Sequence, residues 1–180
     1  MIVRHGDLTF RPATVEDIDL FEDEFGGVDG AGPHQWFGFT SFRGVRAEVE
    51  SRGLLGGTEN MAVIVKDGAV CGRVEWLARY WGRRDTSLCW EIAIGILPGY
   101  RGQGIGTASQ QWLVDYLFQH TRVERVQATT DPDNAAERTC LERAGLQFEG
   151  RVRRAQWRQG AWHDQLLYSI LRDEWSGRSS

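Results

Sequence analysis

Residues 88–107 run LCWEIAIGILPGYRGQGIGT, an apolar run that gives way to closely spaced glycines. Leu88 to Leu97 is an apolar run of strand length, and Pro98, which has no N–H to give a ladder, stops it. Glycines crowd the segment from Gly99 to Gly106. From Thr107 to His120 the period changes, and Trp112, Leu113, Tyr116 and Leu117 fall on one helical face. A strand therefore passes through a glycine loop into a helix. Closely spaced glycines let successive N–H groups converge, and the helix start adds its positive dipole end. That combination suits a pyrophosphate, with Arg101 at the mouth to add a charge-assisted contact. A purely structural glycine turn stays open as the alternative. No Gly-Lys-Ser/Thr closes the loop, so it is not the phosphate loop of a nucleoside triphosphatase. Its glycines, Gly102, Gly104 and Gly106, fall one residue short of the dinucleotide fingerprint. The nearest acid for a ribose, Asp131, lies beyond the next strand and directly before Pro132.

Upstream, Met61–Val65 and Ala69–Trp76 read as two strands joined at Lys66-Asp67-Gly68, which carries the Asp-Gly hairpin signal. Before them, Leu8–Arg11 is a short strand. Thr14 caps a helix with Asp17 three residues on, and Ile18, Phe21 and Phe25 share its inner face. That helix ends at Gly26-Gly27. The glycine-rich aromatic segment Val28–Phe42 predicts a loop, and Phe42–Ser51 a second helix closed by Gly53. Downstream come a strand at Val123–Thr129, a helix at Asn134–Ala144 with Gly145 at its C-cap, and a hairpin of Val152–Trp157 and Trp162–Leu171 across Gln159-Gly160. Ser176–Ser180 reads as a disordered tail. The expected fold is a mixed α/β sheet, mostly antiparallel, with one parallel pair near its centre made by a right-handed strand–helix–strand crossover. No repeat or linker divides it, so residues 1–175 are expected to form one domain.

The bulk properties narrow the function. A chain of 180 residues with 41% hydrophobic and 26% charged residues is an ordinary globular composition. The formal charge of -4 provides no general attraction to nucleic acid or to an anionic membrane, and neither is expected as a partner. Three widely spaced cysteines, without a CxxC, disfavour a disulfide framework or a zinc site, and no metal is expected. Met1–Arg11 lacks the apolar core of a signal peptide, and no run reaches the ~20 apolar residues of a membrane span. A cytoplasmic location follows as the expectation.

Taken with its surroundings, Arg101-Gly102-Gln103-Gly104-Ile105-Gly106 resembles the Gln/Arg-x-x-Gly-x-Gly/Ala motif of the GNAT superfamily of acetyltransferases. Leu97-Pro98 before it and the helix after it stand where that family has them. Asp133-Asn134-Ala135-Ala136-Glu137-Arg138 through Ala144-Gly145-Leu146 is similar to the family's second cofactor segment, with Leu146 in place of the usual Phe. The C-terminal hairpin, with Asp164, Tyr168–Leu171 and Glu174-Trp175, is similar to the RimJ/RimL-like branch, and the resemblance runs from Leu8 to Trp175.

The resemblance implies a central parallel pair splayed into a V and acetyl-CoA as co-substrate. Backbone N–H groups of Gly102, Gln103, Gly104, Ile105, Gly106 and Thr107 would hold the pyrophosphate. The main chain near Ile94 and Ile96 would pair with pantetheine, Asn134 would bond the pantetheine arm, and Arg138 would lie near the cofactor's polar end. From the residue alone, Asn134 reads as a helix N-cap, and the two roles are compatible. The resemblance also admits a homodimer.

Joining an amine to a thioester requires that the amine, mostly ammonium near neutral pH, lose a proton. Glu91, a carboxylate within an apolar central strand, is the candidate base; the other reading pairs it with an arginine such as Arg73. The positions from which the resemblance implies a thiol-protonating Tyr or Ser hold Leu141 and Glu137. Glu137 reads more simply as a first-turn acid on a helix surface, and Tyr168 is a further candidate. This departure keeps open a module that binds an acyl-CoA without catalysis. For the acceptor, the acids Glu22, Asp23, Glu24 and Asp29 precede His34, Trp36, Phe37 and Phe39. That pattern suits a cationic amine received by charge and cation–π contact, or an acidic helix end followed by core aromatics. A peptide N-terminus, a polyamine and an amino natural product all fit it.

Overall fold

The computed structural model describes residues 2–176. Its strands are β1 (Val3–His5), β2 (Leu8–Pro12), β3 (Glu59–Lys66), β4 (Ala69–Tyr80), β5 (Leu88–Ile96), β6 (Arg125–Thr130), β7 (Gln147–Arg158) and β8 (Ala161–Leu171). Its helices are α1 (Val15–Phe25), α2 (Val28–Ala31), α3 (Arg43–Arg52), α4 (Ile105–His120), α5 (Ala135–Arg143) and α6 (Arg172–Ser176). Hydrogen bonding orders the strands β1-β2-β3-β4-β5-β6-β8-β7 in one open sheet. The pairing is mostly antiparallel, and β5 with β6 is the parallel pair, as expected. That parallel ladder comprises Trp90↔Val126 and Glu91↔Gln127 and stops there, whereas β6 goes on pairing with β8 to Thr130↔Leu166.

The chain clusters into two compact units, 2–75 with 94–106, and 76–93 with 107–176. In the first, the amphipathic faces of α1 and α3 close on β3, and Ile18, Phe21, Val49, Met61, Val63 and Leu97 form the core. The Asp17 carboxylate bonds the Thr14 backbone N–H at 2.8 Å and pairs with Arg11 at 2.6 Å, which sets the start of α1. The hairpin between β3 and β4 turns at Asp67 (φ 50) and Gly68 (φ 80), the left-handed pair that an Asp-Gly turn requires. In the second unit the buried residues come mainly from α4, β6 and β8, among them Leu113, Leu117, Val126, Leu141 and Ile170.

Several elements differ from expectation. β1 precedes β2 through a turn at Gly6 (φ 60), and its three residues are too few to show a period. Val28–Phe42 is not wholly a loop, because α2 occupies its first four residues. β4 extends four residues past Trp76, to Tyr80. β7 begins five residues earlier than Val152, on the charged and glycine-containing stretch from Gln147 to Arg151. It is templated by β8, which is buried along Gln165–Ile170, and a bulge between Val152 and Gln156 holds Arg154 at φ 50. Ser176, expected to begin a disordered tail, ends α6; the rest of that tail, 177–180, lies outside the described residues. No helix among the described residues is long and apolar enough to cross a membrane.

Candidate active site

In the first unit, β5 ends at Ile96 and a single 3₁₀ turn, Pro98–Tyr100, leads to the loop. Gly102 (φ 74) and Gly104 (φ 77) both take the left-handed conformation, so glycine is required there for backbone reasons. A Cβ built on either would meet no atom within 4 Å, which means that the surface over the loop is open to a ligand. α4 begins at Ile105, two residues before the Thr107 expected, so Ile105, Gly106 and Thr107 form its first turn with N–H groups unclaimed by the helix. Converging N–H groups at a helix start fit an anionic group without any side chain.

Arg101 is placed differently from the expectation. Its Nε donates to the Ile96 carbonyl at 3.0 Å and its Nη2 to the Gly30 carbonyl, so the guanidinium braces the loop against β5 and α2. The same bond occupies the carbonyl of Ile96, one of the two main-chain positions expected to meet pantetheine. Gln103 turns back to the Gly99 carbonyl at 3.2 Å.

Still in the first unit, the aromatic segment divides. Phe42 packs on the core, but Phe37 is exposed and Phe39 is fully exposed, so these two are not core plugs. His34 and Trp36 are half-buried, and the Trp36 indole N–H is enclosed without a hydrogen-bond partner among the described residues. Of the acids before them, Glu22 is spent on Arg46, which also pairs with Asp19 at 2.6 Å; Asp23, Glu24 and Asp29 are exposed.

In the second unit, Glu91 is half-buried on β5. Its Oε2 accepts from Gln127 Nε2 at 3.0 Å and lies 3.5 Å from Arg79 Nε. The arginine partner is therefore Arg79, not Arg73, which pairs with Glu75 at 2.9 Å and stacks on the rings of Phe21 and Phe25. Arg79 stands in the extension of β4 beyond Trp76, which explains why sequence reasoning missed it. Asn134 caps α5, its Oδ1 accepting from the Glu137 N–H at 3.2 Å, and this leaves its Nδ2 for a ligand. Arg138 donates to the Pro132 carbonyl at 3.3 Å and from Nε to the Tyr168 hydroxyl at 3.5 Å.

Glu137 is not the solvated helix acid expected. It is half-buried, its Oε1 accepts from Gln110 Nε2 at 2.5 Å, and burial pushes its carboxyl up to about 6 while that bond pulls it down. Leu141 is core, fully buried. The hydroxyl proton of Tyr168 goes to Glu142 at 3.2 Å, so this buried tyrosine is not poised to protonate a thiolate. Burial raises the thiol pKa of Cys71 and Cys89, and both read as inert free thiols.

Comparison with known proteins identifies the family. The family model described as "Acetyltransferase (GNAT) domain" matches residues 7–147. The chain belongs to the GNAT acetyltransferase family. A putative ribosomal N-acetyltransferase, YdaF of Bacillus subtilis, is 32% identical over 116 residues, 64% of this chain and 61% of that protein. The chain thus spans rather less than two thirds of that relative's length. Among solved structures, a RimL ribosomal L7/L12 α-N-protein acetyltransferase in complex with coenzyme A superposes with a TM-score of 0.80 at 20% identity, covering 97% of this chain and 99% of that one. A chimera built on the spermidine N-acetyltransferase SpeG from Vibrio cholerae gives 0.81 at 18%, covering 96% and 100%. These two show the GNAT fold, and the ribosomal relatives fit the RimJ/RimL-like branch. GNAT acetyltransferases use acetyl-CoA.

Proposed function

We propose that this GNAT protein transfers the acetyl group of acetyl-CoA to a primary amine by direct attack on the thioester, with residues 1–175 acting as one catalytic domain in the cytoplasm. One observation carries the reading: along 88–107, a strand bearing a single carboxylate runs directly into a loop with two left-handed glycines, open above, at the start of a helix. The N–H groups from Gly102 to Thr107 hold the pyrophosphate, and Arg101 keeps the loop in shape. The main chain of Ile94 and Ile96 takes the pantetheine arm through its N–H side, since the Ile96 carbonyl is occupied. Asn134 contributes its Nδ2, and Arg138 lies toward the polar end of the ligand.

Glu91 removes a proton from the incoming ammonium. The freed amine attacks the acetyl carbonyl carbon, a C–N bond forms and the C–S bond breaks. The second amine proton goes to solvent, and the expelled thiolate takes one from solvent. A thiolate is a far weaker base than an alkoxide or an amide ion and leaves tolerably without prior protonation, so the reaction can proceed without a dedicated Tyr or Ser.

His34, Trp36, Phe37 and Phe39 line the acceptor side, and the exposed acids Asp23, Glu24 and Asp29 attract a cation. The relatives named above act on a ribosomal protein's N-terminus or on spermidine, and an amine joined to a flat or apolar body fits the aromatic segment best. Mass spectrometry of a panel of peptide, polyamine and aromatic amines incubated with protein and acetyl-CoA tests the proposal. Acetylated product with free coenzyme A is expected. Acetyl-CoA binding without turnover of any amine would leave only a binding module.

A further inference from the structure

The carboxylate assigned as base is held by a side-chain relay confined to the second unit. Gln127 sits opposite Glu91 in the parallel ladder and is 4% exposed. Its Oε1 accepts from the Trp81 indole N–H at 2.8 Å and from Arg125 Nε at 2.9 Å, with the Cys89 thiol at 3.5 Å. Indole and guanidinium nitrogens can only donate, so the amide oxygen must face them. The amide of Gln127 therefore has one permitted orientation, and its NH₂ is forced onto Glu91 Oε2 at 3.0 Å.

The donors are themselves fixed. Arg125 makes a two-pronged bond to Glu149 at 2.6 Å on each prong, and the Ser169 hydroxyl donates to Glu149 at 2.6 Å. The Arg125 guanidinium also lies over the Trp81 ring, 5.5 Å from its centroid. Arg79 approaches the same Glu91 oxygen, Oε2, at 3.5 Å. Among the described residues nothing bonds Glu91 Oε1. One oxygen of the carboxylate is anchored and the other is left to receive a proton.

We infer that Gln127 is a positioning residue: locked by Trp81 and Arg125, it orients the Glu91 carboxylate so that Oε1 faces the amine. This rests on the reading of Glu91 as base and names the group that makes it directional. A proton transfer needs the acceptor oxygen in hydrogen-bond reach, and a side chain with free torsions spends most of its time elsewhere.

Gln127→Glu separates positioning from support. The new carboxylate has the same shape and still accepts from Trp81 and Arg125, but it offers Glu91 an acceptor where a donor stood. Gln127→Met removes both functions. Each variant is made with Glu91 intact and with Glu91→Gln, and kcat, KM for both substrates, acetyl-CoA affinity by calorimetry and melting temperature are measured. With Glu91 intact, kcat should fall about tenfold or more in both variants while acetyl-CoA affinity holds. In the Glu91→Gln background, altering Gln127 should change kcat by less than about twofold, because nothing remains to be oriented.

A folded Gln127→Glu protein with the parent kcat overturns the inference, and so does an equal loss in both backgrounds. If Glu91→Gln alone runs at the parent rate, the base itself is misassigned and the positioning role falls with it. Should Gln127→Glu melt early, Trp81→Phe, which deletes one of the two locking donors, replaces it. A drop in kcat of about threefold at unchanged acetyl-CoA affinity supports the inference, and an unchanged kcat overturns it.

Discussion

The loop at Arg101–Gly104 and the cluster around Glu91 do different work with different materials. The loop is made of neighbours in sequence and in the proposed site would act through main-chain N–H groups, so its side chains would matter chiefly by being absent or by bracing it. The Glu91 cluster is made of Arg79, Trp81, Gln127, Arg125 and Glu149, scattered over three elements and the turn after β4, and in the proposed site would act wholly through side chains. A contiguous backbone device leaves a motif in the sequence. A dispersed side-chain device leaves isolated polar residues that could each be surface.

The largest effect should come from the backbone device. Gly104→Val forces a β-branched residue into φ 77 and projects it into the open face over the loop. Acetyl-CoA binding should be lost in calorimetry. Gly99→Ala, where φ is not left-handed and space is also free, should bind normally. Normal binding by a folded Gly104→Val protein would remove the loop from the site.

Glu137 and Gln110 form a smaller dispersed contact and allow the same contrast to be read in stability. The Glu137 carboxyl, at about 6 in the folded protein, binds its proton more tightly there than in the unfolded chain. Its contribution is therefore complete below the ordinary carboxyl range and is lost as pH rises through 6. Above that, an ionised, half-buried carboxylate costs the protein at most roughly 2 kcal/mol. Glu137→Gln should raise the melting temperature at pH 8 and leave it unchanged at pH 4. A variant less stable than the parent at pH 8 would show that the carboxylate is well solvated.

Trp36 tests whether contiguity by itself makes a device. The segment from His34 to Phe42 is as continuous as the glycine loop but must act through side chains. Trp36→Ala should lower kcat/KM for the acceptor by about fivefold and leave acetyl-CoA affinity unchanged. If Trp36 is a core plug instead, thermal melting should fall steeply and both substrates should suffer alike.

Legibility in the sequence follows the same division. The Asp67-Gly68 turn, the Asn134 cap and the glycine loop are local and could be read directly, as could the apolar β5 with its one acid. The start of β7, Gln147–Arg151, could not be read, because it is mostly polar with a glycine and its pairing is imposed by β8, far more apolar than itself. Arg101 has an evident charge, which pointed to a phosphate; its use by two carbonyls depends on α2, a four-residue helix within what reads as a loop. Gln127 carried no signal beyond being a polar residue in an apolar strand. That one feature, a glutamine at 127 beside a glutamate at 91 in strands expected to pair in parallel, could have raised the question.

The proposed chemistry depends on Glu91 as the base, and the most direct measurement is the amine acetylation rate of Glu91→Gln against the parent across pH, with acetyl-CoA affinity measured alongside. Affinity should be unchanged while the rate at pH 7 falls by about 10²-fold or more, and the deficit should shrink toward high pH as the amine deprotonates unaided. A Glu91→Gln protein that acetylates its amine at the parent rate at pH 7 would contradict the account.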